Sequence, residues 1–185
     1  MTDTRPSSAE GNTARAGLDR LARSTIRLWA LLGGMLLAVL VLVTAYSATM
    51  NLLFRAPFPG DFEVVEMGVA VAISAFLPYC QLTYANVTVD IFTAWAGPRL
   101  IAAMSVLASL VAIAIAILLL WRMYFGMRSY IDYQEYTAVL GIPLWFAFPP
   151  FLFSLVLLIV AALISLGESI SSLRTGRLSP NIQAP

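Results

Sequence analysis

Residues 51–90 read NLLFRAPFPGDFEVVEMGVAVAISAFLPYCQLTYANVTVD. A turn rich in proline and glycine, Arg55–Asp61, opens into an apolar run with Glu66 at its mouth and Pro78-Tyr79-Cys80-Gln81 near its far end. Ionisable groups cost about 2.5–3.5 kcal/mol at the centre of a bilayer and less toward its edges, so they usually have a partner there. The stretch therefore reads as a membrane helix built to be presented to another surface, not as lipid filler.

Three more apolar blocks appear on working outward. Together the four lie near 28–50, 64–85, 100–121 and 143–166, within a chain that is 60% hydrophobic and 11% charged. Mean hydropathy is +0.85, whereas a soluble domain carries about 25% charge. Each block holds about 22–24 residues, or roughly 33–36 Å of helix. That length crosses a hydrocarbon core of about 30 Å with modest tilt. The expected fold is an all-α integral membrane protein with four transmembrane helices and short amphipathic surface helices. Residues 17–173 form its membrane domain, flanked by a polar tail at 1–16 that reads as disordered and a mobile tail at 174–185.

The chemistry available is narrow. Histidine is absent, Cys80 is the one cysteine, and all eleven basic residues are arginine. A His-ligated haem, a Cys/His zinc site and a disulfide-exchanging enzyme each lack their ligands or their thiol pair. No cofactor and no enzymatic activity are expected. The net charge of +1, with no dense basic cluster, gives no footprint for nucleic acid.

Arginine placement sets the orientation. With the N-terminus inside, the cytoplasmic segments hold Arg5, Arg15, Arg20, Arg23, Arg27, Arg99, Arg174 and Arg177, against Arg55, Arg122 and Arg128 outside. Positive charge favours the cytoplasmic side, so both termini are expected there. Between Gly17 and Trp29, Leu18, Leu21 and Leu28 share one face while Arg20, Arg23 and Arg27 share another. This segment reads either as an amphipathic surface helix or as a charged flank of the first span. Gly33 and Gly34, with Thr44, Ser47 and Thr49, offer small residues for close helix packing.

Asp61 is placed to cap the second helix, and Glu63 and Glu66 fall in its opening turns, where the positive helix end favours carboxylates. The same pair could form a salt bridge to a partner or to Arg55. Residues 86–99, NVTVDIFTAWAGPR, are too apolar for an open loop and read as a short surface helix. Residues 122–140 mix aromatic and charged side chains, which suits an extension of the third helix beyond the membrane. Pro143, Pro149 and Pro150 predict a fourth helix that either starts distorted and kinks or becomes regular only at Pro149.

Read in order, certain residues resemble a known family. They are Asn51 and Arg55, Pro59-Gly60-Asp61-Phe62-Glu63 with Glu66, Phe76-Leu77-Pro78, Asn86-Val87-Thr88-Val89-Asp90, and Gly141-Ile142-Pro143-Leu144-Trp145. This chain resembles the small membrane (permease) subunit of tripartite ATP-independent periplasmic (TRAP) transporters over nearly all residues after 17. Many members carry His where Asn86 stands and Trp-x-Glu-Glu where Asp61–Glu66 stands, so no titratable role at position 86 is implied. The resemblance implies a multi-pass protein of the bacterial inner membrane. It would serve ion-coupled, sodium-driven uptake of organic acids with a large membrane subunit and a periplasmic substrate-binding protein, scaffolding the former. Membrane lipid is the remaining partner. Glu63, Glu66, Asp90 and Trp145 are the candidate partner-interface residues. Two other readings of the residues are a stand-alone four-helix exporter using Glu66 and a cofactor-free membrane anchor for a redox enzyme. Against the exporter, Glu66 lies near a helix end, and no pair of broken helices in inverted halves marks a carrier's own site.

Overall fold

The computed structural model describes residues 7–56, 58–83 and 98–175. Four helices dominate: α1 (Ser7–Phe54), α2 (Asp61–Leu82), α3 (Pro98–Asp132) and α4 (Phe148–Thr175). All four are long and apolar enough to cross a membrane. Asp90, Trp95 and the expected surface helix within 86–99 lie outside the described residues, apart from Pro98 and Arg99 at the start of α3.

Helix ends follow from local chemistry. No proline interrupts residues 7–54, so α1 propagates through the whole run at little cost per residue once nucleated. It begins at Ser7, inside the stretch read as tail, and passes through Gly17–Trp29 without a break. The arginine-rich segment is thus the flank of the first span, not a separate surface helix. Arg55, at φ 52, closes α1 with its N–H on the Asn51 carbonyl at 2.9 Å. Pro98 occupies the first position of α3, where a missing amide costs nothing. A single 3-10 turn, Leu144–Ala147, precedes α4. Pro149 and Pro150 then fall in the first turn of α4, whose amides have no partner four residues back. The expected distortion is this turn, and the regular helix starts at Phe148.

The helices pack in the order α1, α2, α4, α3, with α4 also touching α1. The α1–α2 seam is built from layers seven residues apart. Ile26 shares a core cluster with Leu82, Gly33 lies against Ala72 and Ala75, Leu40 lies against Gly68, and Ser47 hydrogen-bonds Asp61. A seven-residue period keeps one stripe facing its neighbour along a gently supercoiled pair. Small residues in that stripe matter because lipid tails are as apolar as leucine, so association depends on close approach. Of the small and hydroxyl residues singled out in α1, Gly33 and Ser47 enter the seam. Thr44 and Thr49 turn back to the carbonyls of Leu40 and Ala45.

A second seam joins α4 to α1 and α2 through polar atoms. The Trp29 indole donates to Ser154 Oγ at 2.8 Å, and Ser154 donates to the Pro150 carbonyl at 3.0 Å. Ser74 Oγ lies 3.1 Å from Ser154 Oγ and 2.7 Å from the Val71 carbonyl, and its one proton serves either. Nearer the chain's N-terminal end, Arg23 pairs with Glu168 and Ser165 donates to the Gln81 carbonyl at 3.2 Å. Gly126 and Tyr130 of α3 meet Phe148 of α4, the two rings 5.3 Å apart.

Ser154→Ala leaves the half-buried Trp29 N–H without its acceptor. A double-mutant cycle of Ser154→Ala with Trp29→Phe, read by unfolding in detergent, is expected to give a coupling of about 0.6–1.7 kcal/mol. A value near zero would mean that the indole finds another acceptor.

Candidate partner interface

At the end of the bundle that holds the α1–α2 turn, three segments converge: that turn, the start of α2 and the α3–α4 loop. Gly60 takes φ 81 and serves as the N-cap of α2 without a side-chain cap, a backbone state that glycine adopts without a Cβ penalty. Asp61 is thus the first helical residue, one position past the expected cap. Its carboxylate still does capping work, accepting the Phe62 N–H at 2.7 Å and the Ser47 hydroxyl. Ser47 in turn accepts the Phe58 N–H at 3.2 Å, so one buried hydroxyl holds both the turn and the helix start.

The α3–α4 loop folds back on itself before reaching that cap. Thr137 N–H bonds the Ile142 carbonyl at 2.9 Å, Ile142 N–H bonds Thr137 Oγ1 at 3.0 Å, and Leu144 N–H bonds the Glu135 carbonyl at 3.1 Å. Tyr136 and Pro143 pair as an isolated antiparallel bridge, and Gly141 supplies a positive φ of 62. This closed loop aims two amides at α2. Glu63 accepts the Val139 N–H at 2.7 Å and the Leu140 N–H at 3.0 Å, one on each carboxylate oxygen. Leu140 itself sits over Gly60, where a Cβ would run into the Leu140 side chain. Backbone N–H pairs of this kind form a small anion-binding concavity, and here the chain's own carboxylate fills it.

The four candidate residues therefore separate. Glu63 is engaged inside the chain. Glu66 is exposed and holds no partner among the described residues; neither carboxylate pairs with Arg55. Trp145 sits in the 3-10 turn, partly exposed, with its ring 6.3 Å from Phe146. Asp90 lies outside the described residues. The loop clasp was missed in the sequence because its donors are main-chain amides, which every residue but proline carries. The one legible hint was Gly60 set between Pro59 and Asp61.

Glu66 heads a stripe. Residues 66, 70, 73 and 77 are all exposed, at the spacing of one helical face. The α1 seam uses Asp61, Gly68, Ala75 and Leu82, and the α4 seam uses Ser74 and Gln81. Ala70, Ile73 and Leu77 thus lie under a carboxylate on a face that neither neighbouring helix covers. Such a face offers an apolar bed with one charged group at its edge.

Comparison with curated proteins and with solved structures finds no significant match. Residues 40–172 match the DctQ component of the tripartite ATP-independent periplasmic transporters. That span takes in α1 from Leu40 onward, all of α2 and α3, and α4 nearly to its end, including every residue of the clasp and the α2 stripe. The chain thus belongs to the DctQ family, the small membrane component of the TRAP transporters of the bacterial inner membrane.

Proposed function

We propose that this chain is the scaffold of a sodium-coupled organic-acid importer, docking the large transport subunit on the exposed stripe of α2 and at Trp145. The observation that carries the reading is Glu66, a carboxylate with no partner among the described residues that heads an apolar helix face. In a bilayer a group like this gains most when a neighbour supplies a donor. Asp90, which lies outside the described residues, belongs to the same proposed contact. The periplasmic substrate-binding protein completes the assembly, with both termini of this chain on the cytoplasmic side. Substrate and ion sites belong to the large subunit. The described spans are unbroken helices, with a single 3-10 turn before α4, in contrast to the broken half-helices that form transporter sites.

Reconstitution tests it. Liposomes holding this chain alone, with a sodium gradient, are expected to take up no organic acid. Adding the large subunit and the binding protein restores uptake, and omitting this chain from the full set abolishes it. Uptake by this chain alone would support the stand-alone exporter instead.

A further inference from the structure

We propose that the groove between the middle of α1 and the C-terminal half of α2 binds one anionic phospholipid, with its phosphate on Arg27. The groove encloses about 530 Å³, within the range of small-ligand pockets. Its floor and walls are Ala30, Leu31, Gly34, Met35 and Phe76, with Arg27 and Tyr79 at the polar end. From Arg27 to Met35 the helix rises about 12 Å, close to the roughly 15 Å depth of one hydrocarbon leaflet. A cation at one end and a purely apolar channel of leaflet length are the two halves of a phospholipid's own chemistry.

The groove lies on the side of the α1–α2 seam away from α4. Trp29, Ser74 and Gln81 face α4 through their hydrogen bonds, while the groove residues project from the other flank. Gly34 keeps this flank open: a Cβ there would first meet Phe76, at 3.7 Å. The charge pattern singles out Arg27. Arg23 spends its charge on Glu168, whereas Arg27 is exposed and holds no acidic partner among the described residues. A guanidinium matches a phosphate with two parallel N–H donors, and the Tyr79 hydroxyl is a second donor at the same end.

The test is native mass spectrometry on the complex purified with its large subunit, delipidated and then incubated with dioleoyl phosphatidylglycerol or dioleoyl phosphatidylcholine. Wild type is expected to retain phosphatidylglycerol about five-fold better than phosphatidylcholine, the worth of one arginine near an anionic surface. Arg27→Gln should bring that ratio close to one. Arg122→Gln, at the other end of the bundle, should leave it unchanged. Leu31 is 71% exposed, so Leu31→Trp is tolerated by the fold and should lower retention of both lipids by narrowing the groove. Equal retention of the two lipids by wild type overturns the proposal, as does an equal effect of Arg27→Gln and Arg122→Gln. Cross-linking of Met35→Cys to the large subunit in native membranes, with no lipid retained, would assign the groove to a protein helix and also overturn it.

Discussion

Gly33→Ala is expected to lower the unfolding midpoint of the purified chain in detergent, while Gly34→Ala leaves it unchanged or raises it. The two glycines are adjacent in sequence and chemically identical, so propensity cannot separate them. Packing can. A Cβ on Gly33 would stand 2.7 Å from the Ala75 Cβ and 3.2 Å from the Ala72 carbonyl oxygen. Neither atom can rotate away, so the α1–α2 seam must open, and overpacking of this kind costs about 1–3 kcal/mol. A Cβ on Gly34 would meet only the Phe76 ring edge, at 3.7 Å, an ordinary contact. There the change gains about 0.5–1 kcal/mol from restricting the unfolded backbone. Gly68→Ala should fall between them. Its clash, at 2.7 Å, is with a methyl of Leu40, which has rotamers to escape into. The ranking Gly33, Gly68, Gly34, from most to least damaging, is the measurement. A larger loss at Gly34 than at Gly33 would mean that the seam has been assigned to the wrong face of α1.

The four spans were legible because bilayer thickness imposes a length and a composition that few other folds require. The extension of α3 to Asp132 was also legible, since the residues past Trp121 keep helix-forming character while turning polar. Helix starts were less so. Asp61 has the chemistry of a cap, yet Gly60 takes the cap position because the sharp turn after Pro59 needs a positive φ. The seven-residue layers of α1 and α2 hide in the sequence behind leucine, isoleucine and valine on every side. In lipid a helix needs no polar face, so hydrophobic periodicity loses its meaning and only small or hydroxyl residues mark the contact. Ser47 and Gly33 carried that mark. Thr44 and Thr49 carried it equally and point elsewhere, bonding their own helix. Pairing of Glu63 with the amides of residues 139 and 140 was illegible, because the two ends are far apart in sequence and the loop's identity is in its backbone.

Glu63→Ala and Glu66→Ala are expected to fail in opposite ways, although the residues sit one helical turn apart on α2. Glu63 holds the tip of the α3–α4 loop, so its loss should release the Val139 and Leu140 amides. Hydrogen exchange at those two positions should rise to that of unbonded loop amides, in the isolated subunit as much as in the complex. Glu63→Gln should rescue only part of the protection. It keeps one carbonyl oxygen but replaces the other acceptor with an NH₂ group facing an N–H. Glu66→Ala should leave exchange and thermal midpoint of the isolated subunit untouched, because nothing among the described residues bonds it. Its effect should appear only with the partner present. Retention of the large subunit on a tagged small subunit should weaken by about 1–2 kcal/mol, the range for polar contacts between helices in lipid, where substitute partners soften each loss. That is roughly a five- to thirty-fold change in the dissociation constant. Ile113→Leu on α3 is the control, since it swaps one apolar side chain for another of equal volume and should change neither reading. If Glu66→Ala destabilises the subunit by itself, the carboxylate has an internal role. If Ile113→Leu releases the partner while Glu66→Ala does not, the docking face lies on α3, and α2 owes its exposed stripe to lipid alone.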